Sequence, residues 1–269
     1  MFKLIALDMD GTLLKGNNTI SQETKKAINL AKEKGIKIVI TTGRPIQGVM
    51  NYLEELDLIN DDEYVIAYNG SSIYNTKTLK PIVRNGLTGK DFKDIYKLSK
   101  SLGVEFHGFI DECCIAPKEN KYTEAETLHN NIDVKIMDIE NDINDNDFII
   151  KAMILDEKEK LDEAVKKIPK EYFEKYNALR TVSFIFEFMN KDCSKSNALK
   201  ALCKHLDISP NEVIAFGDGD NDIDMLQFAG IGVAMGNASH YVKSKADYIT
   251  LSNEEDGIAD VIYKKILNI

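Results

Sequence analysis

Leu4-Ile5-Ala6-Leu7-Asp8-Met9-Asp10-Gly11-Thr12-Leu13-Leu14 is the stretch on which the fold turns. Four apolar residues in a row, stopped by carboxylates and an Asp-Gly pair, predict a short buried strand that ends at a polar turn. Downstream, Ser21 precedes a helical pattern with Ala27, Ile28, Leu30 and Ala31 as its apolar positions, and Gly35 ends it. Ile36–Ile40 reads as a second buried strand, followed by Thr41-Thr42-Gly43-Arg44-Pro45 and a helix to about Leu56. Tyr64–Tyr68 reads as a third strand, closed by the turn pair Asn69-Gly70.

Alternation of strand and helix predicts parallel strands joined by helical crossovers. The rhythm returns at Val213–Phe216, a strand ending in Gly217-Asp218-Gly219-Asp220-Asn221-Asp222, then a helix through Ala229 and a strand at Ile231–Val233. The middle of the chain departs from it. There the patterns predict helices at Asp91–Leu102, Lys118–His129 and Glu157–Ile168, with strands at Val104–Ile110, Phe148–Leu155 and Thr181–Phe188. The expectation is an α/β core of residues 1–86 and 189–269, interrupted by an α+β module at 87–188. The acidic stretch Asp138–Asp147 is expected to be a solvated loop on that module.

Composition narrows the function. Lys and Arg number 34 against 44 Asp and Glu, a net charge of −10. Such an acidic chain disfavours nucleic acid or an anionic membrane as the main partner, so a phosphorylated ligand would need locally placed cations. No apolar run reaches the length of a membrane span, and the N-terminal residues lack the pattern of a secretory leader. Cys113, Cys114, Cys193 and Cys203 show no metal or redox spacing. Reduced thiols in a cytoplasmic protein are the expectation.

Four pieces carry the chemistry. In open α/β sheets ligands bind beyond the carboxyl ends of the strands. Asp8 and Asp10 stand there two residues apart, with Met9 turned aside. One carboxylate can attack phosphorus and the other can shuttle the leaving group's proton; taken alone, the pair could equally be turn aspartates. Thr41-Thr42-Gly43-Arg44 offers a hydroxyl and backbone amides at a helix start, the makings of a phosphate cradle, and serves as well for an ordinary helix cap before Pro45. Asp218, Asp220 and Asp222 would repel one another without a cation, and hard oxygens suit Mg²⁺. Lys195 opens the helix that begins at Ser194, where a positive charge opposes the helix dipole, which hints at an anion nearby.

Together and in this order, the four pieces resemble the motifs of the haloacid dehalogenase superfamily, in its Cof-type branch and closest to the sugar phosphatases there. The resemblance extends to Tyr68-Asn69-Gly70, to Gly232-Val233-Ala234-Met235-Gly236-Asn237-Ala238 and to Glu255-Asp256-Gly257-Ile258-Ala259. It implies a Rossmann-like core with an inserted cap that governs substrate choice. It implies Mg²⁺ held by Asp8, the Asp10 carbonyl and Asp218, with Asp222 behind them. Met9, Thr42, Gly43, Lys195 and Asn221 would bind the phosphoryl oxygens. The implied reaction is hydrolysis of a small phosphorylated metabolite through an aspartyl-phosphate on Asp8, with Asp10 as general acid and base. Sugar phosphates lead as substrates, ahead of flavin mononucleotide and pyridoxal phosphate. Ser196 departs from the glycine that often follows the lysine in this family. Two other readings share parts of the pattern: a phosphomutase of the same superfamily, and a receiver-like phosphorylatable module. Removing Lys195 is expected to weaken phosphate binding more than folding.

Overall fold

The computed structural model describes residues 2–110, 113–130 and 132–267. The chain divides into two compact units, one built from the residues up to Thr42, Asn51–Val83 and those from Ser194 onward, the other from Gly43–Met50 and Arg84–Cys193. From the N-terminus, β1 (Leu4–Asp8) leads through α1 (Gln22–Glu33) to β2 (Lys37–Thr41), α2 (Met50–Glu55), β3 (Tyr64–Ala67), β4 (Ser72–Asn75) and β5 (Pro81–Arg84). The inserted segment runs β6 (Leu87–Thr88), α3 (Gly89–Leu102), β7 (Glu105–Ile110), β8 (Cys113–Ala116), α4 (Lys121–Asn130), β9 (Asp133–Ile136), β10 (Phe148–Ile149), β11 (Lys151–Leu155), α5 (Lys158–Val165), α6 (Lys170–Lys175), β12 (Tyr176–Val182) and β13 (Ile185–Asn190). The chain then continues with α7 (Lys195–His205), β14 (Val213–Gly217), α8 (Ile223–Phe228), β15 (Ile231–Ala234) and β16 (Tyr248–Ile249).

In the first unit the eight strands are ordered β16-β15-β14-β1-β2-β3-β4-β5, a Rossmann-like α/β sheet as the resemblance implies. β1 lies at its centre, parallel to β14 on one side and β2 on the other, and every residue of β1 is buried. Full burial on both faces explains why Leu4–Leu7 is a continuous apolar run instead of an alternating one. Leu4, Ala6, Val39, Val213 and Ala215 pack against Leu199 and Leu202 of α7 and Met225 and Leu226 of α8. The register pairs Asp8 with Thr41 and Leu7 with Phe216, so β1, β2 and β14 end together at one edge of the sheet. That shared edge gathers residues from three distant stretches of chain.

The second unit holds a six-stranded sheet ordered β12-β13-β11-β7-β8-β9. Its core unites Phe92 and Ile95 of α3 with Phe106, Ile154, Phe186 and Phe188. α3 starts at a capping box between Thr88 and Asp91 and stops at Gly103, whose φ of 68° is the left-handed cap that glycine adopts without strain.

Local expectations change at several points. The strand expected at Phe148–Leu155 is two, β10 paired with β6 and β11 in the six-stranded sheet. The strand expected at Thr181–Phe188 is two antiparallel strands, with Val182 paired to Ile185 across Ser183-Phe184, a turn without the usual Gly, Asn or Asp signal. The helix expected from Lys118 starts at Lys121, where the Asn120 carboxamide accepts from the Tyr122 and Thr123 amides and caps it. The acidic stretch is not simply solvated: Ile139 and Ile143 are buried in the core of the second unit while the charges between them face out. The four cysteines form no disulfide and are buried. Among the described residues no helix is long and apolar enough to cross a membrane.

Asp91 gives this unit a pH-dependent tie. Partial burial raises its carboxyl, but hydrogen bonds from Lys175, Thr88 and Tyr176 outweigh that and bring it to about 2. A carboxyl lowered on folding stabilises the fold above its unfolded value of about 3.9 and loses that contribution as the pH falls through the folded value. Urea midpoints of wild type and Asp91→Asn should therefore differ at pH 6, with the wild type more stable, and converge between pH 4 and pH 2. A gap that stays constant over that range would show that the Asp91 charge contributes nothing.

Candidate active site

The site grows from the strand ends. β1 delivers Asp8, with a relative exposure of 6 %. β14 delivers the loop Asp218–Asp222, and the N-cap at Ser194, whose hydroxyl accepts from the Asn197 amide, fixes the start of α7 so that Lys195 turns inward. The Lys195 ammonium is buried and lies 2.5 Å from Asp8 Oδ1 and 2.6 Å from Asp222 Oδ1. The anion that the sequence reading anticipated near this lysine is supplied by the chain itself. Its burial between two carboxylates gives Lys195 a part in the fold as well.

Asp222 is fully engaged. Its Oδ2 accepts from the amides of Asp218 and Gly219 while Oδ1 faces Lys195, so this residue shapes the loop and orients the lysine. Asp218 Oδ1 accepts from the Thr12 hydroxyl at 2.9 Å, and Asn237 Nδ2 reaches the Gly11 carbonyl at 2.8 Å and Asp218 Oδ2 at 3.4 Å. Gly11 has a φ of 80°, and a Cβ at that position would collide with the Asp218 carboxylate. Only glycine lets the two loops approach this closely. Thr12 and Asn237 thus belong to the site, although the sequence reading gave neither a role; both sit in stretches quoted above, but nothing in a linear pattern shows that they meet.

Asp8, Asp218 and Asp222 each offer an oxygen within 4.8 Å of the others. Fully ionised, the three acids and Lys195 sum to a charge of −2, since −3 plus one gives −2. Burial, and next the charge of Asp222, push the Asp8 carboxyl well above its usual range, against the pull of Lys195. Burial also raises Asp218, which the Thr12 hydroxyl partly opposes. Lys195 behaves oppositely: burial disfavours its charge, but Asp222 and Asp8 outweigh that and hold it protonated. The two-charge deficit and the hard oxygen donors fit a divalent cation such as Mg²⁺. With Asp222 occupied, Asp8 and Asp218 are the side chains able to hold it.

Asp10 is exposed, and Met9 is buried between the two aspartates. Thr42 is buried; its amide donates to the Ile66 carbonyl and its own carbonyl accepts from Asn69. Gly43 follows it in a bend, and an α-helix does not begin there as expected: Ile46–Gly48 forms a 3₁₀ turn and α2 starts at Met50. Asn221 Nδ2 donates to Asn69 Oδ1 at 3.1 Å.

The sequence profile of the haloacid dehalogenase-like hydrolases matches residues 5–262. The chain belongs to that family. It is 39 % identical to YxeH of Bacillus subtilis over 99 % of both chains. It is 34 % identical to that organism's 5-amino-6-(5-phospho-D-ribitylamino)uracil phosphatase YcsE, over 98 % of this chain and 96 % of that one. Among solved structures it is similar to the subclass IIB sugar phosphatase BT4131, with a TM-score of 0.82 and 26 % identity over 99 % of this chain and 100 % of the other.

The burial of Lys195 yields a stability prediction for this hydrolase. Lys195→Met leaves Asp8 and Asp222 buried without their cation, which costs about 3 kcal/mol. Urea unfolding in the presence of a chelator should register that loss. A change below about 1 kcal/mol, the range of exposed ion pairs, would mean that the ammonium is not the clamp described here.

Proposed function

We propose that this hydrolase is a Mg²⁺-dependent phosphatase acting on small phosphate monoesters, sugar phosphates first among them. The observation that carries the reading is the placement of Asp8 at the end of the central strand, held by a buried lysine and within ligand distance of Asp218. The relatives named as phosphatases support the activity, and the sugar phosphatase of like fold supports the substrate class.

Asp8 and Asp218, with the main-chain carbonyl of Asp10, would hold the Mg²⁺. When bound, the ion neutralises the meeting of an anionic nucleophile with an anionic substrate. The rest of the work belongs to the chain. Lys195 fixes Asp8 Oδ1, so the carboxylate is oriented before substrate arrives and Oδ2 becomes the attacking atom. The O–P bond to the leaving alkoxide breaks as the acyl-phosphate bond to Asp8 forms. Asp10, exposed and two residues on, gives its proton to that alkoxide and then takes one from the water that hydrolyses the aspartyl-phosphate. Thr42, Asn221 and the Met9 amide would bind the phosphoryl oxygens, and Lys195 would offset the charge that gathers on them. The inserted unit 87–188 reads the leaving group.

Phosphate release from a panel of monoesters, with and without Mg²⁺, tests the proposal. Asp8→Asn should lower turnover at least about 10³-fold with an unchanged circular dichroism spectrum, because it removes the nucleophile. Asp10→Asn should cut turnover heavily and leave substrate affinity nearly intact. Wild-type turnover by Asp8→Asn, or equal rates in magnesium and in chelator, would refute the mechanism. Isomerised sugar phosphate without free phosphate would reassign the enzyme to a mutase.

A further inference from the structure

The turn Tyr68-Asn69-Gly70 has no role in the mechanism above, yet its backbone is costly. Tyr68, Asn69 and Gly70 have φ values of 52°, 54° and 93°, three left-handed residues in succession. A left-handed conformation costs a non-glycine residue on the order of 1 kcal/mol or more, and asparagine tolerates it best. β3 and β4 pair through Ala67 and Ser72, and an Asn-Gly pair alone can reverse a hairpin. Chain reversal accounts for Asn69 and Gly70 but not for the left-handed Tyr68 before them. Strain of this kind persists where surrounding structure imposes it, and it gathers at functional sites.

Its surroundings name the function. The Asn69 amide donates to the Thr42 carbonyl at 2.8 Å. A Cβ on Gly70 would overlap the Ser194 carbonyl, immediately before Lys195. The Asn69 carboxamide, 3 % exposed, accepts from Asn221 Nδ2. One turn thus touches the three loops that carry Thr42, Lys195 and Asn221, and its left-handed backbone delivers the Asn69 side chain to the last of them.

We infer that Asn69 is a positioning residue for the phosphoryl subsite. By accepting one N–H of the Asn221 carboxamide it fixes the plane of that group and leaves the second N–H to meet a phosphoryl oxygen. This rests on the phosphatase reading for what Asn221 binds; the positioning itself rests on the contacts of the turn. The effect falls on binding common to ground and transition states, so it belongs in KM and not in kcat.

Asn69→Gly is the informative variant, because glycine keeps the left-handed backbone and removes only the side chain. With p-nitrophenyl phosphate as substrate, KM should rise about tenfold while kcat changes less than about threefold, the scale of one lost hydrogen bond. The calorimetric dissociation constant of inorganic phosphate should rise by the same factor. Asn221→Ala should weaken phosphate binding at least as much, and in that binding the Asn69→Gly/Asn221→Ala double variant should be no worse than Asn221→Ala alone, as for residues acting as one unit. If Asn69→Gly melts below the assay temperature, Asn69→Ser, whose side chain falls short of Asn221, replaces it. Wild-type phosphate affinity in the variant, or losses that multiply in the double, would overturn the inference. A wild-type enzyme that neither releases nor binds phosphate would overturn the phosphatase reading along with it, whereas normal wild-type turnover with an indifferent Asn69→Gly removes the inference alone.

Discussion

One ammonium held between two buried carboxylates organises this molecule's chemistry. Lys195 reaches Asp8 on the central strand and Asp222 in the loop after β14, two elements that are far apart in sequence and adjacent in the sheet. Asp222 passes the constraint on, because its other oxygen binds the amides of Asp218 and Gly219 and so sets where the Asp218 carboxylate points. Asp218 in turn meets Thr12 in the loop that follows Asp8. The circuit closes on itself, and each carboxylate is aimed by a neighbour before any ligand binds. Such preorganisation is what an electrostatic catalyst needs, since dipoles already in place need not reorganise as the reaction proceeds.

The sheet makes the circuit possible by geometry alone. Parallel strands end on the same side, so residues placed just past strand ends converge whatever their separation in the chain. For this reason the main parts of the site were legible in the sequence. An apolar run ending in Asp8-Met9-Asp10-Gly11 and a second ending in Gly217-Asp218 announce two strand ends with carboxylates on them. What stayed illegible depends on contact across space. Thr12 and Asn237 are ordinary residues until the fold sets both beside Asp218. The inward turn of Lys195 follows from the packing of α7, so its weight in folding could not be read from the helix dipole. The hairpin at Ser183-Phe184 carries no turn residue, and Ile139 and Ile143 were hidden by the charges around them. In each case a local pattern was true of the residues and silent about their neighbours.

The inserted unit shows a different division of labour. Phe106, Ile154, Phe186 and Phe188 pack on one face of its sheet against helices, an ordinary core. Strand alternation puts His107, Lys151, Met153 and Glu187 on the opposite face. That face is buried too, yet it holds a Lys151–Glu187 ion pair at 2.5 Å and a His107 ring whose proton affinity burial depresses to about 4. Buried pairs of this kind seldom add stability over apolar residues of the same size. Their presence on that face marks where the unit gives up packing energy for polarity.

The same trade governs the catalytic cluster, where it is sharper. Three carboxylates around one lysine leave two negative charges unmatched in a buried place, and the rise in the Asp8 and Asp218 carboxyls registers that discomfort. A fold selected for stability alone would have replaced one aspartate or added a second cation of its own. Keeping the deficit has a consequence: it makes the site most complementary to whatever brings positive charge, and it leaves Asp8 underneutralised until that charge arrives. An acid too well matched by the protein would be a poor nucleophile, its lone pairs already committed to permanent hydrogen bonds. Lys195 therefore offsets one of the three negative charges, enough to keep the fold and to aim the oxygen, and leaves the other two to be matched only when the reacting partners are assembled.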